Sequence, residues 1–202
     1  MLIIALVLAI GIGVYFFLGQ KPPTPGGDTK GVEGAIDSVF AKQGISRQSF
    51  FGALPVRLEE SGVDSKIKPS SLTGLSKDLN ALSSQAKTGQ EKSLVAIYAQ
   101  AAALSEKKYD LLAKLQQLSS EIQGKDRQAA CAYKERLDAL NLAYTDFFVA
   151  LTNLSLQEIE YAEKYGEKKP LGISIDEERG TMDSLSFLSE LYSSCAQETG
   201  AA

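Results

Sequence analysis

Two thiols, a few clustered carboxylates and no imidazole define the chemistry open to this chain of 202 residues. Cys131 and Cys195 are its only cysteines, and histidine is absent. A Ser-His-Asp triad, a Cys-His pair and the usual zinc sites, which need four Cys or His ligands, therefore lack their materials. What two isolated thiols can do is bond to each other. A disulfide between them implies an oxidising, extracytoplasmic compartment. The competing reading is two separate buried cysteines acting as small apolar groups.

Carboxylates are the second candidate. Glu59-Glu60 and Glu177-Glu178 are adjacent pairs, and Glu158, Glu160 and Glu163 fall close together. Glycoside cleavage needs two acids fixed across a cleft, and nothing in the linear spacing supplies that, so these side chains are expected to be solvated helix and loop charges. Lys107-Lys108 and Lys168-Lys169 suggest contact with a phosphate or lipid headgroup, but glutamates flank them and solvated faces are the simpler reading. Tyr98, Tyr109, Tyr133, Tyr144, Tyr161, Tyr165 and Tyr192 mostly follow helical seams and read as core rather than as a binding groove.

GxGxxG, GxxxxGK[ST] and EF-hand patterns are missing from the sequence. Asn153-Leu154-Ser155 matches a glycosylation acceptor but falls in the middle of a helical pattern, where modification is not expected. The site expectation is no catalytic, cofactor-binding or metal-binding residues, with Cys131–Cys195 as the covalent feature and no enzymatic activity. A net charge of −4 argues against nucleic acid as a partner.

The elements that must carry these residues begin with an apolar run. Residues 1–18 hold no charged side chain, and Leu2 to Leu18 would span roughly 25 Å as a helix, near the thin end of a bilayer's hydrocarbon core. A cleaved secretory signal is the alternative. It would want positive charge before the run and small residues at the cut, whereas Phe17-Leu18-Gly19 presents a large one. Lys21 and Lys30 favour a cytoplasmic domain by the positive-inside rule; the thiol pair favours the opposite side, and that reading is preferred. From Gly19 to Gly34 the sequence GQKPPTPGGDTKGVEG reads as a tether, because Pro22, Pro23 and Pro25 forbid a continuous helix. The expected organisation is an anchor over 1–20, a flexible linker over 21–34 and an extracytoplasmic domain over 35–202.

The domain reads as all-α. Val32, Ile36, Val39 and Phe40 share a helical face that Gly44 stops. Ser46 is a candidate cap for a turn bearing Phe50, Phe51 and Leu54, which Pro55 interrupts, and 56–70 reads as loop. A helix over about 71–87, capped by Ser70 or Ser71, aligns Leu72, Leu75, Leu79, Leu82 and Ala86, and Gly89 ends it. A second, over about 91–123, aligns Ile97, Ala101, Leu104, Leu111, Leu115, Leu118 and Ile122, interrupted only by Lys108. A third, over about 126–165, repeats the pattern from Ala130 through Leu154. The short turn at Gly124-Lys125-Asp126 makes these two antiparallel.

A last helix over about 183–197 carries Leu185, Leu188, Leu191, Tyr192 and Cys195. If the sulfurs are bonded, residues 166–182 must return roughly 30 Å along the bundle, within reach of an extended chain at about 3.3 Å per residue. Leu171, Ile173 and Ile175 after Pro170 alternate as an extended strap would. Cα atoms more than about 7 Å apart would exclude the bond.

An anchor, a spacer and a rigid bundle suggest a binding or scaffolding module for a protein or cell-envelope partner, held to the bilayer through residues 2–18. A ligand-sensing or solute-binding ectodomain is the alternative and requires a concave pocket with convergent polar groups. A carboxylate-dependent hydrolase ranks third.

Overall fold

In the computed structural model, which describes residues 29–59, 62–63, 67–193 and 195, the three-and-four spacing of apolar residues is realised as helices. They are α1 (Lys30–Lys42), α2 (Pro69–Leu82), α3 (Gly89–Ile122), the single turn α4 (Arg127–Ala130), α5 (Lys134–Tyr165) and α6 (Asp176–Leu191). A 3-10 turn at Arg47–Phe50 and a two-residue antiparallel pairing of Leu58–Glu59 with Gly62–Val63 lie between α1 and α2. The fold is all-α, as the periodicity predicts.

The α3–α5 hairpin is the central element. Near one end the Gln90 amide meets the Tyr161 hydroxyl, and near the other Arg136 pairs with Glu121, so the two helices run antiparallel. Their facing seams, including Ile97, Ala101, Leu104 and Leu111 on α3 and Leu140, Phe147, Leu151 and Leu154 on α5, are buried. α2 adds Leu72, Leu75, Leu79 and Leu82 against α3, and the Thr73 hydroxyl donates to Glu106 at 2.6 Å. Phe40 of α1 meets the rings of Phe50 and Tyr98 edge-on, at 5.2 and 5.8 Å between centroids.

α5 ends at Gly166, whose φ of +69° closes the helix in the left-handed region that favours glycine. The chain then returns as a strap on which Leu171 and Ile173 are buried. α6 lies antiparallel on the first half of α5, with Ser189 donating to Asp138 and Ser186 to Asn141. Cys131 and Cys195 are disulfide-bonded, with their Cα atoms 5.6 Å apart.

Several boundaries differ from the sequence reading. α1 begins at Lys30, inside the segment assigned to the tether, because Val32 and Ile36 are drawn into the core. α2 starts on Pro69 as its first residue, since a fixed φ suits that position, and neither Ser70 nor Ser71 caps it. Gly89, expected to end a helix, opens α3 instead. The Thr88 hydroxyl accepts from the Glu91 amide at 3.1 Å, while the Glu91 carboxylate accepts from the Thr88 amide at 2.9 Å, a reciprocal cap that fixes the start.

The expected helix over 126–165 is interrupted by a 3-10 turn at Cys131–Tyr133, where the disulfide fastens the chain. The final helix starts at Asp176 rather than after Asp183, its first turn carrying Asp176, Glu177 and Glu178, which the helix dipole favours. Leu188 and Leu191, expected on its inner face, are exposed. Ser46 precedes its turn without a side-chain cap.

Residues 1–20 lie outside the described residues, as do 21–28 of the tether. Among the described residues no helix is long and apolar enough to cross a membrane.

Thr88→Ala should lower unfolding stability by about 1 kcal/mol, whereas Ser71→Ala should change it by less than about 0.5 kcal/mol. Urea unfolding of the full chain followed by far-ultraviolet circular dichroism distinguishes the two.

Candidate functional site

The interruption in the α3 seam has a partner. Lys108, Glu178 and Tyr144 are 2%, 4% and 1% exposed. The Lys108 ammonium pairs with one oxygen of Glu178, and the Tyr144 hydroxyl donates to the other at 2.5 Å. One carboxylate from α6 thus joins a cation of α3 and a phenol of α5. A buried charge without such partners is strongly unfavourable, so this contact fixes where α6 starts. Burial, and then the hydrogen bond to Glu178, push the Tyr144 phenol well above its ordinary value.

A second buried carboxylate organises the strap. Glu158, fully buried, accepts from the consecutive backbone amides of Leu171, Gly172 and Ile173 at 2.5, 2.9 and 3.1 Å. Gly172 has φ +61°, the conformation that turns successive N–H groups toward one anion. On its other edge the strap receives the Gly52 amide at the Leu171 carbonyl and donates from the Ser174 amide to the Gly52 carbonyl, both at 2.9 Å. Tyr98 also donates to the Pro170 carbonyl at 3.3 Å, while its own hydroxyl accepts from Arg47 at 2.7 Å.

The other candidates disperse. Glu160 and Glu163 are exposed, and exposed Glu177 lies 3.8 Å from Arg57. Glu60 and the side chain of Glu59 lie outside the described residues. Lys107, Lys168 and Lys169 are exposed. Tyr98, Tyr144 and Tyr161 are buried, and Tyr109, Tyr133, Tyr165 and Tyr192 pack partly buried against the core. Asn153 is exposed in the middle of α5. Among the described residues no three acidic or cysteine side chains converge as metal ligands do.

Sequence reasoning expected Glu158 and Glu178 to be solvated, and the structure corrects both. The signal was present: Glu158 is in phase with Leu151, Leu154 and Tyr161, and Lys108 sits in a seam where an ammonium requires a buried anion.

Several surface features remain, including clefts of about 450 Å³ beside Ser46, Phe51 and Ile67 and of about 310 Å³ beside Leu118, Arg136 and Leu140. A cleft of about 170 Å³ between α3 and α5 is lined by Ser93, Gln157, Glu160, Tyr161, Lys164 and Tyr165 among others. Gln90, 2% exposed, contacts its Tyr161 wall, and the Gln90 Oε1 has no hydrogen-bond partner among the described residues. On the opposite side of α5 from the core, Leu142, Val149 and Leu156 are 66%, 54% and 54% exposed. They recur every seven residues, one apolar position per heptad, with Thr145-Asp146 and Thr152-Asn153 between them, so the row supplies half of the 3.5-residue repeat of a coiled-coil seam.

Compared with family models, curated proteins and solved structures, the chain matches none of them.

Lys108→Met should destabilise the fold by roughly 3–5 kcal/mol by stranding Glu178, and adding Glu178→Leu should restore most of that loss; urea unfolding of the two singles and the double measures the coupling. Tyr144 retains its proton more tightly folded than unfolded, so its contribution is intact below the ordinary phenol pKa of 10.0 and declines as pH rises above it. Tyr144→Phe should flatten that alkaline loss in unfolding curves measured across roughly pH 9 to 11.

Proposed function

We propose that the chain is a binding or scaffolding module, held to a bilayer through residues 2–18 and presenting its bundle on the extracytoplasmic side. The observation that carries this reading is the stripe of Leu142, Val149 and Leu156 on the outer face of α5. Large apolar side chains in register over three turns or more of one helix mark contact surfaces more often than scattered single exposures do. A helix of 32 residues is roughly 48 Å long, and its inner face is already locked into the core. The outer stripe covers roughly 21 Å of it and fits the apolar seam of an amphipathic helix from a partner protein. The Cys131–Cys195 bond supports an oxidising compartment, and such a compartment fits the membrane-anchored arrangement.

A ligand-sensing reading has one observation in its favour, the unpaired Gln90 Oε1 behind Tyr161. At about 170 Å³, the adjoining cleft is smaller than the roughly 300 Å³ typical of small-molecule sites, and the larger clefts, of about 450 and 310 Å³, have no unpaired buried polar side chain among the described residues that line them.

Photoreactive side chains placed at Leu142, Val149 and Leu156 of the full-length protein in its native membranes should all yield the same adduct with a second protein, and placed at exposed Gln116 or Ser119 of α3 should not. Absence of adducts at the stripe, equal labelling from α3, or adducts of the chain with itself would overturn the partner-helix reading.

A further inference from the structure

α6 is held to the hairpin differently from every other long helix of the bundle. α2, with 14 residues, buries four leucines, whereas α6, with 16 residues, buries Leu185 alone among its apolar side chains. Met182 and Tyr192 are partly buried, while Phe187, Leu188 and Leu191 face outward at 64%, 37% and 48% exposure. Among the described residues, the distal half also donates two hydroxyl bonds to α5, Ser186 to Asn141 at 3.1 Å and Ser189 to Asp138 at 2.6 Å. The first is exposed and the second only partly buried, so neither holds the helix as a fully buried contact would.

The two ends of the element are unequal as well. At the start, Glu178 is tied to Lys108 and Tyr144, and the strap just before it is pinned by Glu158 and by Gly52. Beyond Leu185 the firm attachment is the bond between Cys195 and Cys131, which joins residues separated by 64 positions. The element is therefore a lever with a fixed fulcrum and a covalent fastening at its tip.

We propose that Cys131–Cys195 is a redox latch, and that its reduction frees the distal part of α6 from the hairpin while the rest of the bundle stays folded. The reductant is a dithiol. Its thiolate attacks the sulfur of Cys131, the less buried of the pair, and Cys195 leaves as a thiolate that takes up a proton. The second thiol of the reductant then displaces Cys131, so the products are two protein thiols and one oxidised dithiol, a two-electron exchange. Freed from Met182 onward, the segment keeps Glu178 as its pivot and presents Leu185 together with Phe187, Leu188 and Leu191, an apolar set that the latched state splits between core and solvent. The stripe on α5 plays no part in this step.

Hydrogen exchange by mass spectrometry on the full-length protein in detergent, with and without dithiothreitol, tests the proposal. Reduction should speed amide exchange by about tenfold or more over Met182–Leu191, with Leu94–Leu104 and Leu171–Ser174 unchanged. A Cys131→Ser, Cys195→Ser double variant should exchange as the reduced protein does and no longer respond to the dithiol. Unchanged protection of α6 on complete reduction would overturn the latch. So would loss of protection spreading through α3 and α5, which would make the bond a staple for the whole fold.

Discussion

The structure depends on the mutual burial of two one-sided helices. α3 and α5 each carry a long apolar seam that water penalises, and the short connection between them leaves antiparallel contact as the way to hide both. Everything else is laid on that pair. α2 covers one flank of α3 with leucines, α1 closes the end at Tyr98 with Phe40, and the strap with α6 covers α5. Because the hairpin is long and its partners are short, each added element meets only part of it, and each uses its own kind of contact.

Those kinds of contact are not interchangeable. Leucine packing on α2 is non-directional and tolerates small shifts, whereas the two buried carboxylates accept only particular arrangements. Glu158 requires three amides in a row with a left-handed residue among them, and Glu178 requires an ammonium and a phenol from two different helices. A buried ion pair contributes less to stability than its geometry suggests, since desolvation offsets much of the attraction. The effect of the two carboxylates is to define position: a strap displaced by one residue would carry the left-handed turn at Gly172 away from Glu158, and a rotated α6 would strand Lys108.

The hairpin is legible in the sequence because its signal is redundant, with more than six apolar residues in phase on each helix and a turn between them. The disulfide follows from a count of thiols and a reach argument, and the strap from Pro170 and the alternation after it. Helix starts are less legible, because a cap depends on two or three residues and several candidates compete: Thr88 with Glu91 wins at α3, while Pro69 preempts Ser70 and Ser71 at α2. The buried carboxylates are hardest to see. A glutamate on a helix reads as solvated unless its phase is weighed against its charge, and its donors, the amides of Leu171 to Ile173, carry no side-chain signature at all. The outward stripe on α5 is hidden for a related reason, since the inner seam of the same helix dominates its periodicity.

The placement of α1 has a mechanical consequence. Phe40 packs edge-on against Tyr98, which lies about two and a half turns into α3 from Gly89, so α1 sits nearer the open end of the hairpin than its turn. The turn at Gly124 is a full helix of 34 residues from that end, roughly 50 Å. A pull on α1 is therefore borne first by the side chains that α1 itself buries, Val32, Ile36 and Phe40, and it leaves the α3–α5 seams unloaded until those contacts part.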